Sequence, residues 1–327
     1  MAAQSWTPLA VAVKDVYTVT FGGTFLAGET CTITCGGRTL VVTVQTVVTT
    51  TGVALTVKQA WESQTLTPDT TASVLPEAGG ASVLQMAEVT ATSSAAVLTL
   101  RGDVAGVPHT ITASTSSVGG TVTLAHPILA TGPNHADNAS NWSAGALTTG
   151  DTVTIDRPVS ILYGLAQSAV TLASLYISPV FASSARIGLP VRNEKGYDEY
   201  RATEWAISIT SLLSRSGSPL IKINTGVIAC TADIRSTGSA VEANRSAMQL
   251  RGNHASNVAT LYSGDLGYGA NDETSQLATC SIYGGSFTSG RNCSIVNFTK
   301  EGGTAIVRKK PSGTIVNRAG DFFLTND

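Results

Sequence analysis

The sequence is poor in charge, in aromatic rings and in long apolar runs, and each shortage removes a class of function. Only 13% of its 327 residues are charged, and Lys plus Arg at 20 against Asp plus Glu at 22 leave no basic field of the kind that gathers phosphates. Nucleic-acid binding is therefore not expected. No apolar run approaches the roughly 20 residues of a membrane helix. The amino-terminal "MAAQSWTPLAVAVKDVYTVTF" has neither the basic segment nor the unbroken apolar core of a secretory signal. These absences predict a soluble protein made in a cytoplasm, without a membrane partner. Cysteine is scarce and unpatterned. Cys31 and Cys35 in "TCTITC" fall on one face of a strand about 13 Å apart, too far for a disulfide. Cys230, Cys280 and Cys293 form no CxxC, and His109, His126, His135 and His254 stand alone. Buried free thiols are expected, with no metal site and no cofactor. A nucleophile elbow, a P-loop, an HExxH and a dinucleotide fingerprint are all missing, so no catalytic residue is assigned.

What is present is Ala, Val, Thr, Ser and Gly, a composition that favours sheet. The length accommodates two domains. From Tyr17 to Val44 alternating segments are broken at Gly22-Gly23, Ala27-Gly28 and Gly36-Gly37, which predicts a strand meander. "FGGTFLAG" lies between two such segments and reads as a hairpin turn, since a phosphate cradle would open into a helix. Val53, Val57, Ala60 and Trp61 recur at helical spacing and predict a short helix over 53–64. Alternation returns over Glu88–Gly102 and Val107–Ser114, completing a compact α+β unit.

The second half changes texture. Glycine turns recur at Gly264, Gly285, Gly303 and Gly320, at intervals of 21, 18 and 17 residues by subtraction. Periods near 20 predict a solenoid of short strands with glycine at the corners; a two-sheet sandwich is the alternative. The expected fold is thus mainly β, with an α+β strand-rich module over 1–125, a linker and cap over 126–150, and a solenoid domain over 151–327. Trp142 in the linker "NHADNASNWSAGALTTGDTVTID" reads either as a carbohydrate-stacking platform or as a plug closing the first turn.

Sequon matches at Asn138, Asn141, Asn244, Asn292 and Asn297 are chance hits in a chain without a signal, and "RGD" at Arg101–Asp103 is a turn leaving a strand. In "NEKGYDEYRATEW", Glu194, Asp198, Glu199 and Glu204 alternate with basic and aromatic residues. This is either a sugar groove, whose cleavage would need carboxylates facing each other at about 5–10 Å, or an exposed interface anchored by Tyr197, Tyr200, Arg201 and Trp205. "GANDETSQ", with Asp272 and Glu273, reads as a surface turn.

The segment "FGGTFLAGETCTITCGGRTLVVTV" with "AEVTATSSAAVLTLRGDVAGVPHTITAS" resembles small modules of tailed-phage and prophage virion structural proteins. "NHADNASNWSAGALTTGDTVTIDRPVSILYGLAQSAVTLASLYIS" resembles the start of a right-handed parallel β-helix in similar proteins, and "RIGLPVRNEKGYDEYRATEW" and "LRGNHASNVATLYSG" resemble its middle turns. The resemblance spans most of the chain and implies a virion component, without bringing catalytic residues. Two functions follow as expectations. One is a capsid decoration or cement protein, a homotrimer by analogy, with the major capsid protein as partner. The other is a tail fibre or tailspike-type adhesin that binds a host surface glycan. About 175 residues at roughly 20 per turn stack to only about 40 Å, which favours decoration.

Overall fold

The computed structural model describes residues 2–44, 49–62, 72–76, 84–269 and 274–325. Strands hold 49% of the chain and helices 6%, so the protein is mainly β, with one α-helix among the described residues. Early in the chain lie β1 (Ala3–Ser5), β2 (Val16–Gly23), β3 (Thr30–Cys35), β4 (Arg38–Val44), α1 (Thr50–Trp61), β5 (Ala72–Pro76), β6 (Val89–Ser94), β7 (Val97–Gly102), β8 (Ile111–Thr115) and β9 (Gly120–Ile128). There follow β10 (Thr152–Ile155), β11 (Ala166–Ile177), β12 (Arg186–Ile187), β13 (Trp205–Arg215), β14 (Leu220–Asn224), β15 (Thr231–Ser236), β16 (Met248–Arg251) and β17 (Val258–Leu261). The last are β18 (Asp265–Tyr268), β19 (Ser275–Ile282), β20 (Ser286–Ser289), β21 (Cys293–Lys300), β22 (Thr304–Val307), β23 (Ile315–Asn317) and β24 (Phe322–Leu324).

The chain divides into two compact units. An antiparallel unit comprises Val11–Pro133 and Arg192–Arg201; a parallel unit comprises Met1–Ala10, Asn134–Val191 and Ala202–Asp327. This division differs from boundaries at 125 and 150. Strand β9 continues to Ile128, β1 pairs in parallel with β10, and Asn134–Gly150 lies in the parallel unit.

The antiparallel unit holds two four-stranded sheets, β6-β7-β2-β9 and β5-β4-β3-β8. Alternation sets their faces: Tyr17, Val19 and Phe21 of β2 and Cys31, Ile33 and Cys35 of β3 point into one core. Helix α1 begins where the Thr49 side chain accepts a 3.2 Å hydrogen bond from the Gly52 amide, three residues before the start expected from periodicity. Its buried face carries Val53, Val57, Ala60 and Trp61, the four residues whose spacing predicted it, and the Trp61 indole donates to the Val89 carbonyl at 2.8 Å.

The parallel unit is one sixteen-stranded, near-closed parallel sheet. From β13 onward the chain alternates between two ladders, each strand pairing with the next but one: β13-β15-β17-β19-β21-β23 and β14-β16-β18-β20-β22-β24. The ladders meet at β13, where Trp205 and Ala206 pair with Ile223 and Asn224. In-register inward positions build apolar columns. Ile221, Met248, Leu266, Phe287, Ala305 and Phe322 form one. Ile234, Leu261 and Ile282 form another, which ends on the fully buried Lys300. The Lys300 stem continues the apolar column while its ammonium donates to the Ala319 carbonyl and, at 3.4 Å, to Asn317 Oδ1. Trp142 is 3% exposed; it meets Trp6 edge-on at 4.6 Å and stacks with Trp205 at 6.1 Å, so it shields core and offers no face for a sugar.

The four recurring glycines form one column. Gly264, Gly285, Gly303 and Gly320 take φ of 97°, 79°, 72° and 76°. A Cβ on each of the last three would lie 2.2–2.3 Å from the carbonyl oxygen of the glycine below. The column closes through 2.8 Å hydrogen bonds that the Ser286 amide donates to the Gly264 carbonyl and the Thr304 amide to that of Gly285.

Candidate functional site

The outward face of the even-numbered ladder carries a groove of about 740 Å3, lined mainly by polar and charged side chains of the parallel unit. Its floor follows from register. Lys222 of β14 pairs with Gln249 of β16, Gln249 with Gly267 of β18, Gly267 with Thr288 of β20, and Thr288 with Ile306 of β22. Because side chains alternate along each strand, these five positions face outward in one row while Leu250, Leu266 and Phe287 face the core. Gly267 is the one position in this row without a side chain.

Most ionisable groups around the floor are tied down. Arg251 pairs with Glu204 through Nε at 2.6 Å and also through Nη2, and Asn224 Nδ2 lies 3.5 Å from the same carboxylate oxygen. Lys222 is 4% exposed; its ammonium donates to the Leu189 carbonyl at 3.0 Å and to Glu242 Oε2 at 2.8 Å. Burial lowers the Lys222 pKa, with Glu242 opposing it and the Arg245 charge adding to it. Burial alone would raise the Glu242 carboxyl, but hydrogen bonds from Lys222, the Val191 amide and Gln249 hold it below the ordinary carboxylate range. Asp265 Oδ2 accepts the Ala247 amide at 3.1 Å. Asn244, on the groove wall, takes a left-handed φ of 57° in the turn that carries Arg245 and Ser246.

No known protein-family model and no curated protein matches the chain.

The four residues read as interface anchors are divided between the units. Tyr197, Tyr200 and Arg201 belong to the antiparallel unit, where they surround Glu88. The Tyr197 hydroxyl donates to Glu88 Oε1 at 3.1 Å, Arg201 Nη2 reaches Glu88 Oε2 at 3.3 Å and the Tyr197 and Tyr200 hydroxyls at 2.8 and 3.2 Å, and Lys195 adds a 3.0 Å ion pair. Burial pushes both tyrosine hydroxyls well above their ordinary pKa. The Tyr200 ring also fills the space a side chain would need at Gly36. Trp205 lies in the parallel unit's core, its indole donating to Gln167 Oε1 at 2.8 Å. These side chains hold structure together within their own units.

The acids of the same stretch separate likewise. Glu204 is at the groove, whereas Glu199 is engaged by the Tyr200 and Arg201 amides at 3.1 and 3.0 Å and by Asn193 Nδ2 at 3.0 Å. Asp272 and Glu273 lie outside the described residues. In the "RGD" stretch Gly102 is buried and Asp103 Oδ1 accepts the Thr90 hydroxyl at 2.6 Å, so it does leave a strand as a turn. All five cysteines are free and buried. Burial raises Cys31 to about 11 and Cys35, Cys230 and Cys293 to about 12, leaving them protonated and unreactive. Among the described residues no helix is long and apolar enough to cross a membrane.

Sequence reasoning reached Glu204 but missed Lys222, Arg245, Gln249, Arg251, Gly267 and Arg308. The available signal was a polar or small residue at alternate positions of short strands such as "LIKIN", "MQLR" and "DLGY".

Proposed function

We propose that the chain is a non-enzymatic binding protein of a tailed-phage virion, that its parallel unit is a right-handed parallel β-helix, and that its groove holds a surface glycan of the host. The observation that carries this reading is the groove: a row of in-register outward positions on five alternate strands, bordered mainly by polar and charged side chains and suited to a ligand made of repeated hydroxyl-bearing units. The pairing of each strand with the next but one, the apolar columns and the stacked glycines support the β-helix. The virion setting rests on the resemblance described above.

Binding without cleavage is favoured by the state of the carboxylates. A glycosidase needs one carboxyl with a raised pKa as general acid. Of the two carboxylates that line the groove, Glu204 is fixed by Arg251 and Asp265 accepts the Ala247 amide, and the neighbouring Glu242 is shifted the opposite way. The test is to incubate purified protein with capsule and cell-wall polysaccharide from the host, measuring retention by co-sedimentation and reducing ends by colorimetry. Retention without new reducing ends is expected. Release of reducing sugar, abolished by Glu204→Gln with the fold intact, would overturn the non-enzymatic reading; absence of retention would overturn the adhesin.

The second reading, a homotrimeric decoration protein on the major capsid protein, is favoured by an exposed ladder on the odd-numbered side. Arg235 sits 3.9 Å from the Tyr262 ring centroid, and Tyr262 stacks on Tyr283 at 5.0 Å. Tyr and Arg are common interface anchors. Immunogold labelling of heads, a trimer mass by light scattering and loss of capsid heat stability without the protein would select it.

A further inference from the structure

Resting on the reading that the groove holds a glycan, we propose that the group it selects is a carboxylate, so that the site takes acidic saccharides over their neutral counterparts, seated at Gly267 and anchored by Arg245.

The seat follows from the floor. Gln249 and Thr288 flank Gly267 in register, each one strand spacing away, about 4.8 Å. Both project side chains and Gly267 does not, which leaves a depression one strand wide. The wall of that depression is Ser246: a Cβ at position 267 would lie 3.2 Å from its Oγ and 3.3 Å from its Cβ. Ser246 is buried, so the wall is fixed. Gly267 does not take a positive φ, so its backbone does not demand glycine. What the missing side chain provides is space.

The anchor follows from charge. Four cations line the groove, Lys222, Arg245, Arg251 and Arg308, against the carboxylates of Glu204 and Asp265. Glu242 answers Lys222, and Glu204 answers Arg251. Arg245 is exposed, adjoins the Ser246 wall and forms no ion pair among the described residues. Its charge is nonetheless felt in the groove, since it helps to lower the Lys222 pKa. With Glu242 included, four cations face three carboxylates, so the groove keeps one excess positive charge in a chain whose formal charge is −2, which favours an anion there. A guanidinium binds a carboxylate through two parallel N–H donors, a geometry that a neutral hydroxymethyl group cannot use.

The test is an array of paired oligosaccharides: uronates with their methyl esters, and sialylated chains with their asialo forms. It is probed with the full-length protein, Arg245→Gln and Gly267→Val, at low and high salt. Acidic members should bind about tenfold or more tightly than their neutral partners. Arg245→Gln should erase that preference, bringing acidic binding down to the level of the neutral partners. Gly267→Val should abolish binding of both; its Cβ presses on the buried Ser246 wall, so a modest fall in thermal stability is expected, with a native circular-dichroism spectrum showing that the fold is kept; Gly267→Ser is the smaller companion filling. Equal binding of acidic and neutral partners, with Gly267→Val still abolishing both, would overturn the carboxylate and leave the glycan groove standing. Binding that survives both fillings of the notch would overturn the seat. Absence of binding to every member would overturn the glycan reading itself.

Discussion

Replacing Gly285 by alanine tests whether the glycine column sets the packing of the parallel unit. Two costs fall on this one methyl group. Gly285 has a φ of +79°, where an L-residue is disfavoured by about 1–2 kcal/mol. The new Cβ would also lie 2.3 Å from the Gly264 carbonyl oxygen and 2.8 Å from its amide nitrogen. Both are backbone atoms, and the Gly264 carbonyl is held by the 2.8 Å bond from Ser286, so the neighbour cannot yield without shifting the strand below. Overpacking of this kind costs about 1–3 kcal/mol more. The expected total of about 2–5 kcal/mol is a large share of the roughly 5–15 kcal/mol that holds a typical domain together. Gly145→Ala is the matched control. Gly145 belongs to the same unit and has a φ of 89°, but a Cβ there meets nothing within 4 Å. It carries the conformational cost alone. Urea denaturation followed by far-ultraviolet circular dichroism would measure both variants. Equal stability of Gly285→Ala and Gly145→Ala would show that the glycines do not stack as described, and would refute the reasoning.

Two further outcomes follow from buried ionisable groups. Burial would raise the Asp151 carboxyl, but hydrogen bonds from the Ala2 amide at 2.7 Å, the Thr148 amide and hydroxyl, and Gln4 bring it down to about 2 from 3.8. A carboxyl depressed in the folded state contributes stability above its unfolded pKa and loses it as pH falls through the folded value. Asp151→Asn should therefore lower the denaturation midpoint at pH 7, and its gap from the parent should close between about pH 4 and pH 2; a gap independent of pH would contradict the assignment. The five thiols should resist a chromogenic disulfide reagent at pH 8 and react only as fast as the protein unfolds, measured by comparing labelling rates in buffer and in denaturant. Rapid labelling of the native protein would contradict their burial.

The parts of the fold legible in the sequence are those whose cause is local. Alternation in "TCTITC" places Cys31, Ile33 and Cys35 inward, and helical spacing finds the buried face of α1. The glycines at 264, 285, 303 and 320 are recognisable because each corner needs the same left-handed backbone. Contacts between distant segments leave no such mark. Nothing around Ala3–Ser5 announces that it will pair with Thr152–Thr154, or around Trp6 that it will meet Trp142. The dense aromatic and charged text of 193–205 resembles a surface, yet Glu88, more than a hundred residues earlier, gathers Tyr197 and Arg201 around it. The groove was illegible for a related reason. Lys222, Gln249, Gly267 and Thr288 align only after strand register is known, and turns of unequal length between their strands hide the period.

The central claim is that the groove over Gln249, Gly267 and Thr288 is where the protein binds, without cleaving, an extended saccharide. The most direct measurement is a crystal structure of the protein with an oligosaccharide that the array identifies. An intact chain should lie along the even-numbered ladder, one ring over Gly267 and an acidic group within hydrogen-bond reach of Arg245. A cleaved saccharide, or an intact one bound elsewhere with this groove empty, would contradict it.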